Sequence, residues 1–311
     1  MLMVYLPLVF ARWIHFACVF LLFGASFFWL YEKAERCSAG PQGLPSSVRA
    51  TANLLRFAAP IAAASGVAWL ALVLINMTRY VGSIYDPEDL ELYFFDTPFG
   101  TVSFLRLALF AIAVVIVFLP LRDRWRFGLL VPVSALLLIT QAWFGHSNDG
   151  SGLYRATMIA VYGIHTLAAA AWAGGLPPLF FAIAEQRRFG AHEARENTLD
   201  ICARFSFMAI IAVTLVVSSG IANAGFRVEG SFLKLFDSDY GDLLLKKIAI
   251  VAAMLALAYL NRFVLVPRLR AAVSKDMRQI TKLRYSLAFD IVLGTLVLYV
   301  SAILGITMPP Q

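Results

Sequence analysis

Four histidines stand in this 311-residue chain, and three of them fall where a titratable side chain is costly to place. His15 lies about nine residues into an apolar run over 6–31, and His165 about nine residues into another over 156–184. At a helical rise of 1.5 Å per residue, each imidazole sits roughly 14 Å from the point where its helix enters the apolar layer. His146 closes a third run, in Gly145-His146-Ser147-Asn148, while His192 lies in a polar loop and reads as a surface residue. Imidazole ligates transition metals, holds haem iron and carries protons, so residue type alone leaves all three open. Softer donors stand close by. Cys18 follows His15 by three residues on one helical face, and Met158 precedes His165 by two turns. Met308 ends the last apolar run. Thiolate and thioether select Cu(I), and imidazole suits copper. Each of these three is equally an ordinary apolar filler.

Other polar groups lie inside apolar runs, where ionisable side chains mark function by default. Asp290 is about seven residues into the last run; it is either a proton or cation step or the partner of a nearby base. Arg12, one turn before His15, is expected to snorkel to the interface. Trp143 and Trp172 are expected to pack. A polar pattern occurs twice at an offset of 141: Phe95-Asp96-Thr97-Pro98-Phe99-Gly100 and Phe236-Asp237-Ser238-Asp239-Tyr240-Gly241 both fit F-D-x-x-[FY]-G, with Arg106 and Lys247 six residues past each glycine. The aspartate is expected to cap the following helix or pair with that base, or else to collect cations.

The elements that carry these residues follow from composition. The chain is 60% hydrophobic and 14% charged, with a mean hydropathy of +0.77, against roughly 45–50% and 25% for soluble domains. A soluble globule, a disordered chain and a disulfide scaffold are all excluded. Apolar runs at 6–31, 54–77, 101–121, 127–144, 156–184, 204–225, 242–265 and 283–308 are each long enough to span a bilayer. They are continuous rather than alternating, so a β-barrel is excluded. The fold class is all-α: a polytopic membrane protein of eight transmembrane helices. The first run is too long for a cleavable leader and reads as a real helix.

Lysines and arginines orient the bundle. Loops one, three, five and seven hold fifteen, and loops two, four and six hold four. By the positive-inside rule both termini are periplasmic. The net charge of +7 is this bias and no signature of nucleic-acid binding. Cys37 and Cys202 then fall in or beside cytoplasmic loops and Cys18 in a span, so no disulfide is expected. A second echo pairs Ile14-His15 and Gly24 with Ile164-His165 and Gly174. With the loop motif it divides a single membrane domain into four-helix halves, 1–150 and 151–311, related as parallel repeats.

Several motifs taken together resemble a known family. They are Arg12-x-x-His15, Gly145-His146, and His165 followed by Trp172-Ala173-Gly174-Gly175-Leu176; then Arg204-Phe205-Ser206, Gly241 ahead of Leu245-Lys246-Lys247, and Asn261-Arg262 with Pro267. This is similar to the bacterial copper resistance protein D (CopD) family of the inner membrane. The resemblance implies copper handling at the periplasmic face, passage of copper through the inner membrane, and a small periplasmic CopC-type partner; the soft donors, not the resemblance, favour Cu(I). The positions it matches are His15, His146 and His165. Cys18 and Met158 rest on geometry alone. The acidic second loop (Asp86, Glu88, Asp89, Glu91, Asp96) would lower the cost of a cation's arrival. No nucleotide-binding motif is present and no enzymatic activity is expected. The rival reading is a haem b or redox protein with His15 and His165 as axial ligands.

Overall fold

A computed structural model describes residues 2–32, 45–97, 99–144, 151–226, 238–271 and 277–308. The chain forms α1 (Leu2–Tyr31), α2 (Ser46–Thr78), α3 (Pro87–Phe95), α4 (Gly100–Phe118), α5 (Asp123–Ile139), α6 (Gly152–Ala173), α7 (Leu176–Glu185), α8 (Ala191–Gly225), α9 (Asp239–Leu260), α10 (Val266–Ala271) and α11 (Arg278–Leu304). Eight stretches among the described residues are long and apolar enough to cross a bilayer, and each contains or overlaps one expected span. An all-helical span is what a hydrocarbon layer demands, since every backbone N–H and C=O must be satisfied within the segment.

Local chemistry sets the ends and breaks. Asp86 starts α3 by accepting from the Glu88 N–H at 3.0 Å, with Pro87 at the first helical position. Ser238 starts α9 by accepting from the Gly241 N–H at 3.1 Å. The fifth span is broken: α6 stops at Gly174–Gly175 and α7 restarts on Pro177 and Pro178, whose missing N–H groups cost nothing in a first turn. In the seventh, a π turn over Asn261–Leu265 separates α9 from α10.

Asp96 does not cap the helix that follows it. It ends α3, and α4 begins at Phe99 without a side-chain cap, because the acidic loop is itself a short helix that consumes the aspartate at its C-terminus. That helix docks on α4 through the buried Tyr93, whose hydroxyl lies 3.4 Å from Ser103 Oγ and whose pKa burial pushes upward. Asp237 lies outside the described residues.

Helix α1 is central, packed on α2, α5, α6, α7 and α11. Its crossing with α6 is tight. A Cβ added at Gly24 would lie 2.1 Å from Ala170 O, and one at Gly174 would lie 2.1 Å from Phe20 O, so the two backbones touch where only glycine fits. At the end opposite the termini, the Glu185 carboxylate closes α7 onto the start of α2, accepting from Ser46 N–H, Ser46 Oγ and Ser47 Oγ. Arg204 of α8 reaches the Tyr31 carbonyl at 3.4 Å and Glu32 at 3.6 Å.

Candidate functional site

His15 is fully buried, and both ring nitrogens are engaged. Arg106 of α4 donates to its Nε2 at 2.7 Å. Nδ1 therefore carries the proton and donates to the Ala62 carbonyl of α2 at 3.0 Å. Arg106, itself fully buried, also donates to the Leu137 carbonyl (2.9 Å) and to Thr140 Oγ1 (2.8 Å). Its guanidinium stacks on Trp69, Phe110 and Phe144 at 5.3–5.5 Å. The partner of this intramembrane cation is thus a histidine and a helix end, not the expected aspartate. Gly66 permits the arrangement, because a Cβ there would press on Phe110 and lie 3.1 Å from the imidazole.

His165 has a comparable seat in the other half of the chain. Its Nδ1 lies 3.2 Å from the Val216 carbonyl and 3.1 Å from Ser219 Oγ on α8. Ser219 Oγ spends its proton on the Leu215 carbonyl, so it accepts from Nδ1–H and leaves Nε2 as the lone-pair nitrogen. The spacing on α2 and α8 is the same: a carbonyl (Ala62, Val216), then Ser-Gly three and four residues on, facing the ring (Ser65-Gly66, Ser219-Gly220).

The two rings do not meet in one cavity. His165 lines a cavity of about 150 Å³ between α1, α6, α8, α9, α11 and the turn that follows α5, towards the end that carries the termini; His15 is turned away into α2 and α4. The cavity wall includes Arg12, Gln141, Tyr162, Trp172, Lys247, Met254 and Ser301. Arg12 is buried rather than snorkelling, with its guanidinium over Phe16 (5.5 Å) and Trp69 (5.0 Å) and against Gly305, where a Cβ would meet Nη2. Arg12 and Lys247 are the charged residues on this wall, and no Asp or Glu lines it among the described residues. Lys247, Val251 and Met254 face it together as one stripe of α9. Met254 is the soft donor that sequence reasoning misses, although its spacing of seven from Lys247 gives it the same helical face.

Cys18 is packed in the apolar core and Met158 is buried; neither lines the His165 cavity or the two cavities beside it. His146 lies outside the described residues. Asp290 is buried at 1% exposure in the wall of a second cavity, of about 470 Å³, towards the opposite end. Trp172 belongs to both walls. No group of three or more His, Cys, Asp or Glu side chains is placed to hold a metal among the described residues. A haem finds no room, since the His165 cavity falls below the roughly 300 Å³ of even small ligand sites and His15 does not face it.

Eight spans enclosing imidazole, guanidinium, ammonium and thioether groups define a polytopic helical membrane protein with polar groups in its interior. Residues 1–157 match the family model described as "Copper resistance protein D-like, N-terminal domain", and residues 199–304 match "Copper resistance protein D". The chain belongs to the copper resistance protein D family, which gives it a copper-related function in a membrane. Copper resistance protein D of Pseudomonas syringae pv. tomato is 26% identical over 304 residues, covering 94% of this chain and 93% of its own. Inner membrane protein YebZ of Escherichia coli (strain K12) is 27% identical over 261 residues, 83% of this chain and 84% of its own. Copper transport protein CutJ of Bacillus subtilis (strain 168) is 25% identical over 206 residues, 63% of this chain and 36% of its own. No solved structure matches the chain.

Proposed function

We propose that the chain is an inner-membrane copper conductor, taking copper at the periplasmic end, where its termini lie, and passing it along the axis of the bundle. The observation that carries this reading is the pair of cavities, one towards each end, that share the wall of Trp172. In this reading they are two stretches of one path, with the indole between them. His165 is the receiving imidazole and Met254 its soft companion, with His146 at the mouth. The inner-membrane setting is supported by the similarity to inner membrane protein YebZ, and passage of copper by that to copper transport protein CutJ. The reading assigns the chain no catalytic role. A CopC-type carrier is the expected donor.

The donors of the outer cavity favour Cu(I), since neutral nitrogen and thioether ligands suit the monovalent ion. His15 plays a different part: with Nε2 held by Arg106 it fixes α4 and α5 to α1, and it becomes a ligand only if Arg106 lets go. His15 and His165, each seated on a carbonyl of the next long helix, act as corresponding members of two parallel repeats.

The test is metal content and an ultraviolet–visible spectrum of purified protein, followed by Cu(I) uptake into vesicles. Wild type should bind copper without a Soret band, and His165→Ala should lose both outer-site binding and uptake. A Soret band that disappears in His165→Ala would replace copper conduction by haem binding. Undiminished uptake by His165→Ala would remove His165 from the path.

A further inference from the structure

A third cavity, of about 430 Å³, is a groove where α1, α2, α7 and α11 meet, and neither His15 nor His165 lines it. Its volume falls within the roughly 300–1,000 Å³ of ligand sites. The wall is apolar, built from Phe20 of α1, Leu54 of α2, Phe180 and Phe181 of α7, and Ile291 and Leu298 of α11. The one side-chain hydroxyl on it, Thr295 Oγ1, is spent on the Ile291 carbonyl at 2.9 Å. Leu54, Phe180, Phe181 and Ile291 are partly exposed, so the groove opens sideways onto the surface that a bilayer covers. Along α11 the lining runs from Ala288 to Leu298, a rise of roughly 15 Å at 1.5 Å per residue. That is half of a hydrocarbon core of about 30 Å, the depth of one leaflet.

One turn before Ala288, towards the end of the bundle opposite the termini, stands Arg284. Its guanidinium lies over the ring of Phe180, 5.1 Å from the centroid, and that ring is part of the groove wall. Its Nε is buried without an acceptor, and the guanidinium has no hydrogen bond or ion pair among the described residues. The acids on the neighbouring stretches are engaged elsewhere. Glu185 at the end of α7 accepts from Ser46 and Ser47, and Asp290 lines the second cavity. Lys282 is exposed on another face of α11, since residues two apart on a helix do not face the same way.

An unpaired guanidinium at the foot of an apolar groove one leaflet deep is complementary to a molecule with an anionic head and a hydrocarbon tail. We infer that the groove holds one anionic phospholipid of the leaflet at this end, the cytoplasmic one in the orientation that the loop charges imply. A phosphate oxygen accepts from Arg284, and one acyl chain lies along Phe180, Ile291 and Leu298. The fork of a guanidinium suits phosphate, and basic pockets between spanning helices on the cytoplasmic side suit such headgroups. The lipid fastens α11 to α7 where side chains leave a gap. The assignment is independent of the copper reading, and its test leaves His165 untouched.

Native mass spectrometry of the full chain, released from detergent, counts the lipids retained on titration with palmitoyl-oleoyl phosphatidylglycerol or phosphatidylcholine. Wild type should retain one phosphatidylglycerol that phosphatidylcholine does not replace. Arg284→Gln should weaken it by about 10–100-fold, the loss of a charge-assisted contact. Ala288→Phe puts a ring into the groove, keeps the arginine and should weaken it comparably. Lys282→Gln removes a charge within a turn of Arg284 and should bind as wild type does. Equal affinities in Arg284→Gln and Lys282→Gln, or equal retention of the two lipids, overturn the site in favour of ordinary annular lipid. Inorganic phosphate that displaces the lipid and binds Ala288→Phe as tightly as wild type overturns it in favour of a free ion. An unchanged circular dichroism spectrum and elution volume identify folded variants; should Arg284→Gln fail this check, full retention by Ala288→Phe still overturns the proposal.

Discussion

A methyl group at Gly24 is the sharpest test of how the bundle is held at its centre. In Gly24→Ala the new Cβ would stand 2.1 Å from Ala170 O, 2.4 Å from Gly174 C and 2.6 Å from Gly174 Cα. A carbon–oxygen contact needs about 3.3–3.6 Å, so α1 and α6 must part by more than about 1 Å. All three obstacles are backbone, so no rotamer change relieves them. Overpacking of this kind costs about 1–3 kcal/mol, and at roughly 2 °C per kcal/mol the midpoint should fall by about 2–6 °C. Gly174→Ala, whose Cβ would lie 2.1 Å from Phe20 O, should behave alike. The double variant should fall short of the sum by about 0.5 kcal/mol or more, because the first methyl already opens the gap that the second needs. Gly128→Ala, with nothing within 4 Å of its Cβ, is the control and should leave stability unchanged or raise it by up to about 1 kcal/mol. Thermal unfolding in detergent reads all four. A Gly24→Ala midpoint equal to that of Gly128→Ala, or strict additivity in the double variant, refutes direct backbone contact at this crossing.

Arg106→Met removes the donor of three hydrogen bonds and strands His15 Nε2; a loss of about 2–5 kcal/mol is expected, and a change under about 1 kcal/mol in the same unfolding assay would show that the cluster contributes little. Glu185→Ala leaves Ser46 N–H and two hydroxyls without their acceptor, at about 1–2 kcal/mol, and should accelerate hydrogen exchange at the start of α2 while leaving α9 as it was. Asp86→Ala should loosen α3 by about 1 kcal/mol, read as faster exchange of the Glu88 amide. Trp172→Ala joins the two cavities and should speed Cu(I) entry into vesicles; a slower rate would make the indole part of the path's binding surface instead of its barrier.

The spans are legible in the sequence because their signal, about twenty apolar residues in a row, is local. What no local pattern can give is the direction in which a side chain points around its helix axis. His15 and His165 stand at matching places in their runs but face different neighbours, and His15 meets Arg106 across 91 residues of chain. The same gap explains Cys18, placed by spacing on the His15 side of α1 yet packed into the core. Asp96 misleads for another reason: a polar stretch between two spans reads as irregular loop, but it folds as helix α3, whose end takes the aspartate from the helix that follows. Met254 looks like filler because the helix around it is apolar from Ile248 to Leu260, and Lys247, two turns earlier on the same face, gives the cue.

The clamp at Glu185 rearranges which parts of the chain travel together. Helix α7 follows α6 in sequence, but the Gly174–Gly175 break frees it from α6 while Glu185 and its packing fasten it to α2. Mechanically α7 is tied to a helix distant from it in sequence and not to the one it continues. A tilt of α6 would gather strain at two glycines rather than along a helix, with α7, whose Leu176 and Leu179 line the second cavity, held by α2. The joints of this chain therefore need not follow the order of its helices.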